Sequence, residues 1–331
     1  MDYDITAVGE LLIDFAAKGK NELGYPVMEA NPGGAPANFL AAAAACGKRT
    51  ALIGKVGRDA FGRLLTDTLA AAGIDVRAVA ADETVFTTLA FVTFSAEGDR
   101  SFSFARKPGA DTCLRPEEVD RSLIGASRVL HFGSLSLTDE PARSATRSAV
   151  ACARELGKLI TFDPNLRPPL WRREADAREQ ILWGAGQADV VKISDNEVDF
   201  LWGCGPEEGA RRLLEDLGVR LAMVTLGPLG CWLSNGRAGV YVPCPPVKPV
   251  DTTGAGDIFG GTAVSRLLEL GRAPEDLGEE ELASLGAFAS TAASLSTQHR
   301  GGIPSIRPRE EVLHSLEACP LPAARRVPRQ Q

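Results

Sequence analysis

Histidine, methionine and tyrosine occur only three times each in this 331-residue chain, and tryptophan four times. His131, His299 and His314 lie too far apart for any metal-ligand spacing, so a zinc centre is not supported. The seven cysteines (46, 113, 152, 204, 231, 244 and 319) form no Cys-x-x-Cys pair and are odd in number. They read as scattered small apolar residues of a reducing compartment, not as a redox motif or a disulfide framework. Leu40–Cys46 is apolar but far too short to span a bilayer. An excess of basic residues is also missing. With 36 Lys and Arg against 43 Asp and Glu, the net charge of −7 disfavours nucleic acid or an anionic membrane as partner. Local clusters of cations can still serve an anionic substrate. The acidic start Met1-Asp2-Tyr3-Asp4 leads straight into an apolar run, which predicts no secretory signal and a cytoplasmic location.

Apolar residues at 44% and charged ones at 24% are ordinary for a globular protein with a sizeable core. Ile5–Val8, Thr50–Ile53, Arg128–Phe132, Leu159–Phe162, Val190–Ile193 and Leu221–Leu226 read as strands. Amphipathic helical patterns over Phe61–Ala72, Pro141–Leu156 and Pro206–Leu217 lie between several of them, each followed by a glycine where a helix ends. This alternation predicts an α/β fold built of right-handed βαβ units around a mainly parallel sheet. Val85–Phe94 and Ser101–Arg106 break the rhythm as a hairpin turning at Ala96-Glu97-Gly98-Asp99. Its first strand is apolar on both faces, with Phe86, Ala90, Val92 and Phe94 on one and Leu89 and Phe91 on the other. A two-stranded hairpin is marginal alone. The pattern therefore predicts a small β lid, from about 11–30 and 85–108, inserted in one domain spanning 1–320. Its two apolar faces suggest the main domain or substrate on one side and a second subunit on the other, hence a homodimer through the lid. Residues 321–331 read as a frayed tail.

The densest chemistry lies at Asp251-Thr252-Thr253-Gly254-Ala255-Gly256-Asp257. Prolines 243, 245, 246 and 249 keep the approach extended, and Gly254-Ala255-Gly256 opens a helix running to Leu270. Small residues at a helix start let backbone N–H groups face an anion, helped by the helix dipole. A carboxylate directly behind them ordinarily repels a phosphate. Phosphoryl transfer to an alcohol needs both parts, donors for the moving group and a base for the hydroxyl proton. The plainer reading is a capped helix with Asp257 satisfying its own first turn. There is no Walker loop, since Gly47-Lys48 is followed by Arg49 and Ala42 replaces the first glycine, and there is no His-Arg-Asp kinase loop. Any ATP site is of another kind.

Other candidates stand beside plainer readings too. Asp14 is placed to accept hydrogen bonds from vicinal hydroxyls or to be a solvated loop acid. Asn38, after Gly33-Gly34, offers a donor and an acceptor to the same hydroxyls or simply starts a helix; the glycines allow close backbone approach. Arg106 and Arg167 follow strands, at the ends where open α/β sheets place ligands, or are surface arginines. Glu197 stands in the first turn of a helix, where an acid favours the dipole. Thr225-Leu226-Gly227-Pro228-Leu229-Gly230 is a strand and a Gly-Pro turn, equally a plain hairpin.

Pro32-Gly33-Gly34-Ala35-Pro36-Ala37-Asn38, with Gly54-Lys55-Val56-Gly57-Arg58-Asp59-Ala60-Phe61-Gly62, resembles the first signature of the ribokinase-like (PfkB) sugar kinase family. Asp251–Asp257 resembles its second signature, and the resemblance covers about residues 4–307. It implies a three-layer αβα sandwich with an inserted β lid. It also implies Asp257 as base, with Gly254, Ala255 and Gly256 as anion hole. Asp14, Gly33, Gly34, Asn38, Phe91, Arg106, Asn165 and Arg167 are implied on the sugar side. Lys192, Ser194, Thr225, Gly227, Gly230 and Ser290 are implied beside ATP, and Glu197 beside Mg²⁺ through water. Ser194 and Ser290 depart from the asparagines many members carry. A monovalent cation such as K⁺ is implied at Asp251, the Thr253 carbonyl, carbonyls of Ser296–Gly301, and Ser305. Gly9–Phe15, Asp163–Trp171 and Lys248–Asp251 look most like the fructokinases of the family, which implies fructose as acceptor; 2-keto-3-deoxygluconate kinases are the alternative, and a non-catalytic sugar-binding relative a more distant one.

Overall fold

The computed structural model describes residues 2–94 and 100–323. The turn expected at 96–99 and residues 324–331 of the expected tail lie outside them. A nine-stranded sheet runs in the order Gly239–Val242, Cys231–Ser234, Leu221–Thr225, Val190–Ser194, Leu159–Asp163, Ser127–Gly133, Tyr3–Val8, Thr50–Gly57, Ile74–Asp82. Only the first two pairings are antiparallel. The six strands expected from sequence form the contiguous centre, and the three that were not anticipated lie at the edges. Ile74–Asp82 is only half-buried and carries charges, and the edge hairpin has four-residue strands, so neither leaves a strong apolar signal. Thr50–Gly57, by contrast, is buried at every position, as a strand covered on both faces must be.

Helices Ala142–Glu155, Glu174–Ala185 and Pro206–Leu217 cover one face. Helices Ala35–Ala45, Ala60–Ala71, Ala255–Leu270 and Glu279–Ser296 cover the other. Fully buried Leu52, Leu65, Leu69 and Phe132 anchor these layers, each contributing about 1.5–3 kcal/mol by burial. Helix Ala35–Ala45 is apolar nearly all round because sheet and helix Ala255–Leu270 enclose it. A Cβ at Gly261 would stand 2.2 Å from the Phe39 carbonyl oxygen. That close approach of two backbones carries the residue before Phe39, Asn38, to the start of the second helix.

The second sheet has four strands, Pro26–Gly33, Leu12–Lys20, Thr88–Phe94 and Arg100–Ala105. Its register sets Asp14 opposite Asn31 and Ala90, and Ala90 opposite Phe104. Phe15 and Phe91 are therefore on the other face, stacked at 5.3 Å between ring centroids, with Phe61 edge-on to Phe15 at 5.6 Å. Phe86, expected on the Ala90 face, precedes the strand and packs edge-on against Phe61 at 6.1 Å. So helix Ala60–Ala71 covers part of the outer face, while Leu23, Tyr25 and Val27 at its tip stay exposed. No helix among the described residues is long and apolar enough to cross a membrane.

Candidate active site

Two cavities meet at the start of helix Ala255–Leu270. One, of about 250 Å³, lies under the small sheet and is lined by Glu10, Asp14, Asn38, Phe104, Arg167 and Asp257 among others. The second, of about 550 Å³, is walled by Thr225, Gly227, Gly230, the Cys244–Pro246 run, Phe259 and Ser290. Thr252 borders both, Gly254 and Asp257 face the first, and Ala255 and Gly256 face the second.

No side chain caps this helix: its N-cap is Gly254 at φ 76°, so the amides of the first turn are not satisfied by a neighbouring hydroxyl or carboxylate. Asp257 does not serve its own first turn. Its Oδ2 accepts from Asn38 Nδ2 at 2.8 Å, and the plain capped helix is not what forms. Burial holds the Asp257 carboxyl above its ordinary range, while the Asn38 bond and the charges of Lys192 and Arg167 oppose the shift. The other end of the Asn38 amide, Oδ1, is buried without a partner among the described residues. Asp14 is likewise raised, to about 6, by burial against the opposing charge of Arg167.

Gly33 and Gly34 owe their identity to the protein itself. A Cβ at Gly33 would stand 2.5 Å from Asp14 Oδ2, and one at Gly34 would stand 2.5 Å from the Glu10 carbonyl oxygen. Lys192 donates to Asp163 Oδ2 at 3.0 Å, and its Nζ lies 2.9 Å from where a Cβ of Gly256 would be. Burial pushes Asp163 up against the pull of Lys192; the lysine stays charged because Asp163, Glu197 and Asp257 outweigh its own desolvation. Lys192 thus presents a fixed cation to the helix start.

Glu197 is buried and borders neither cavity. Its two oxygens accept from Leu166 N at 2.7 Å and Ser194 N at 2.8 Å, which pins the loop carrying Asn165 and Arg167. Ser194, expected beside the nucleotide, instead caps helix Asp195–Trp202 by accepting from Glu197 N. Among the described residues no three His, Cys, Asp or Glu form a ready metal cage. Asp163 accepts from Asn165 N and Lys192 and likewise borders neither cavity, so Asp163 and Glu197 would reach a Mg²⁺ only through water, the way that ion prefers. At the monovalent-cation candidates, Asp251 accepts from Thr253 N at 3.0 Å and Gly301 N at 3.0 Å, and Asp251 N donates to the Thr297 carbonyl. Segment 250–253 is thereby docked on 297–301, and buried Ser305 bonds the Gly302 carbonyl.

Two expected sugar-side residues stand elsewhere. Phe91 faces away from Asp14, because adjacent residues of a strand point to opposite faces; Phe104 takes the cavity side. Arg106 is buried in an ion pair with Asp111 at 2.7 Å and bonds Thr138 and the Leu135 carbonyl. Asp111 also bonds Thr88, so this cluster anchors one root of the small sheet. Asp59 anchors the other, capping helix Ala60–Ala71 and accepting from Thr87 N at 2.8 Å. Sequence reasoning missed Glu10, Asn31, Phe104 and Arg300 in the first cavity. Phe104 was recoverable only with the hairpin register, and the proline run, read as a spacer, turns out to wall the second cavity.

The family signature of the pfkB carbohydrate kinases matches residues 2–309. Fructokinase-1 of Zea mays is 39% identical over 316 residues, covering 95% of this chain and 97% of that protein. A fructokinase from Xylella fastidiosa with bound ATP superposes with a TM-score of 0.88 at 29% identity, covering 96% of this chain and 99% of that one. A double mutant of Vibrio cholerae O395 fructokinase, bound to fructose, ADP and potassium ion, gives 0.83 at 30% identity, covering 95% and 99%. With matches running nearly end to end and a nine-stranded sheet that carries a buried aspartate behind an uncapped helix start, the chain belongs to the pfkB family of carbohydrate kinases.

Proposed function

We propose that this protein is an ATP-dependent fructokinase that converts D-fructose to D-fructose 6-phosphate. The observation that carries the reading is Asp257 at the junction of two cavities, one polar and of monosaccharide size, the other larger and mostly apolar. Fructose lies in the first, hydrogen-bonded by Asp14, the backbone beside Gly34, and the unpaired Oδ1 of Asn38. Asp257 takes the proton of the primary hydroxyl as that oxygen bonds the γ-phosphorus and the bond to the ADP oxygen breaks. First-turn amides of residues 254–257 and Lys192 stabilise charge on the transferring group. Mg²⁺ bound with ATP supplies further positive charge to the phosphate oxygens, and Glu197 and Asp163 are the residues that would orient its waters. K⁺ at segment 250–253 would steady the same helix start, in line with the potassium-bound Vibrio relative.

The small sheet acts as a lid that excludes water, a competing acceptor. Its exposed tip residues Leu23, Tyr25 and Val27 support pairing of two copies through the lid, and a cytoplasmic location matches the unpaired cysteines. A sugar-acid carboxylate would call on cations such as Arg106 and Arg167. Arg106 is already neutralised by Asp111, which favours the neutral ketose. The test is ATP consumption with fructose, ribose, adenosine and ketodeoxygluconate. Turnover of fructose above the others is the expected outcome; turnover of the sugar acid alone defeats the reading.

A further inference from the structure

Glu10 follows strand Tyr3–Val8 at the carboxyl edge of the central sheet and lines the sugar cavity, yet no role in the reaction so far requires it. It is only 2% exposed. Its Oε1 accepts from Ala35 N at 3.1 Å, which ties it to the helix that carries Asn38. Among the described residues its Oε2 is buried with no partner at hydrogen-bond geometry, the Glu10 backbone N–H being the one further donor that steadies the carboxyl. Arg106, whose charge favours the ionised form of Glu10, spends its guanidinium on Asp111, Thr138 and the Leu135 carbonyl. A buried carboxyl oxygen without a donor is costly, and native structures rarely keep one without a reason. Phe104, Leu135 and Ala35 line the same cavity and offer no side-chain donor. Asp257, the proposed base, borders the same cavity.

We infer that Glu10 is a sugar-binding, specificity-determining residue whose Oε2 accepts a hydrogen bond from a substrate hydroxyl other than the one that is phosphorylated. The inference rests on the sugar-kinase reading of the same cavity. It makes the free protein select for its substrate through an unmet bond: a sugar lacking that hydroxyl leaves Oε2 desolvated and unpaired. A site built to bond a hydroxyl rejects an analogue without it far more strongly than an apolar wall does. Burial also lifts the Glu10 carboxyl to about 7, so near neutrality it is able either to accept from or to donate to the hydroxyl.

The experiment compares wild type with Glu10→Gln on D-fructose and a series of its monodeoxy analogues, reading kcat/KM for each and KM for ATP. Glutamine keeps the bond to Ala35 N and the shape, and removes the carboxylate. In wild type, one analogue should lose about 10²-fold or more in kcat/KM, the scale of a bond to a buried polar group. In Glu10→Gln the loss for that analogue should shrink by about tenfold, fructose itself should weaken, and KM for ATP should stay unchanged. Equal analogue profiles in the two proteins overturn the inference and assign Oε2 to a buried water. If glutamine prevents folding, Glu10→Asp withdraws the oxygen by one methylene and should give the same selective change; failure of both to show a cooperative melt assigns Glu10 to the fold alone and also overturns it. Should wild type phosphorylate another sugar and not fructose, the fructose reading fails by itself, and the comparison moves to that sugar's monodeoxy series.

Discussion

The two cavities that share the start of helix Ala255–Leu270 are built on opposite principles. The smaller is ringed by carboxyl, amide and guanidinium groups from Glu10, Asp14, Asn31, Asn38, Arg167 and Arg300. The larger is ringed by prolines, small residues and Phe259, with its polar edge at Thr225 and Ser290. Directional bonds discriminate one hydroxyl pattern from another, whereas an apolar slot holds a flat ring through contact area and tolerates substitution. The contrast teaches where specificity resides: the sugar side should be intolerant of side-chain change and the nucleotide side forgiving, with residues 254–257 as the point where both fail together.

The sharpest break is at that shared point. Asp257→Asn should lower kcat about 10²–10⁴-fold, the scale of a positioned base, while leaving sugar binding nearly intact by calorimetry; near-normal turnover would remove Asp257 from its role. Next in size is Arg106→Ala, which leaves Asp111 buried without its cation at 1% side-chain exposure. It should cost about 3–5 kcal/mol of stability in urea unfolding. Whatever activity remains should show an ordinary fructose KM, and a selective rise in that KM would return Arg106 to the substrate.

Asp14→Asn comes third. Losing a charged acceptor should raise the fructose KM about 10–100-fold with little change in the ATP KM, which steady-state kinetics with each substrate varied would separate. Because burial lifts the Asp14 carboxyl from 3.8 to about 6, it is an acceptor on both oxygens only above that range. Sugar affinity should therefore fall as pH drops through about 6, and this limb should vanish in the asparagine variant. The stability contribution has the opposite sign. The folded state binds this proton more tightly than the unfolded chain does, so the Asp14 contribution weakens as pH rises from 3.8 to about 6. Smallest of all is Ser290→Ala on the apolar side. Ser290 contacts Cys231 at 3.4 Å, and removing its hydroxyl should change the ATP KM less than about threefold, within the usual range of a substitution away from strong bonds. A loss as large as that of Asp14→Asn would erase the contrast between the cavities.

Much of this molecule was legible in the order of its residues. The central six strands announced themselves as short apolar runs because burial on both faces leaves no polar alternation to confuse the pattern. Gly73, Gly157 and Gly218 marked helix ends, and each adopts positive φ. The helix start at 254–257, Asp14 near the start of strand Leu12–Lys20, and Asn165 and Arg167 in the loop after Leu159–Asp163 were visible because small residues and charges stand out beside apolar strands. The edge strands were not visible, since half-exposed edges mix charge with apolar residues. Nor was the division of labour within a single motif. Gly54–Gly62 belongs to the same family signature as Gly33, Gly34 and Asn38, but Lys55 is buried among Asp82 and Glu118, and Asp59 holds the root of the lid.

By itself, the sequence determined the α/β layering and the place of the glycine-opened helix start that carries Asp257, because each depends on local spacing along one chain segment. Tertiary structure alone decided which phenylalanine of the hairpin faces the first cavity, Phe104 over Phe91, because the side a strand residue takes depends on its register with a partner strand. It decided that Arg106 is an anchor, because a cation's task follows from the carboxylate that reaches it first. And it left Glu10 with an oxygen that no side chain among the described residues satisfies, since burial and partnership are properties of the packed whole.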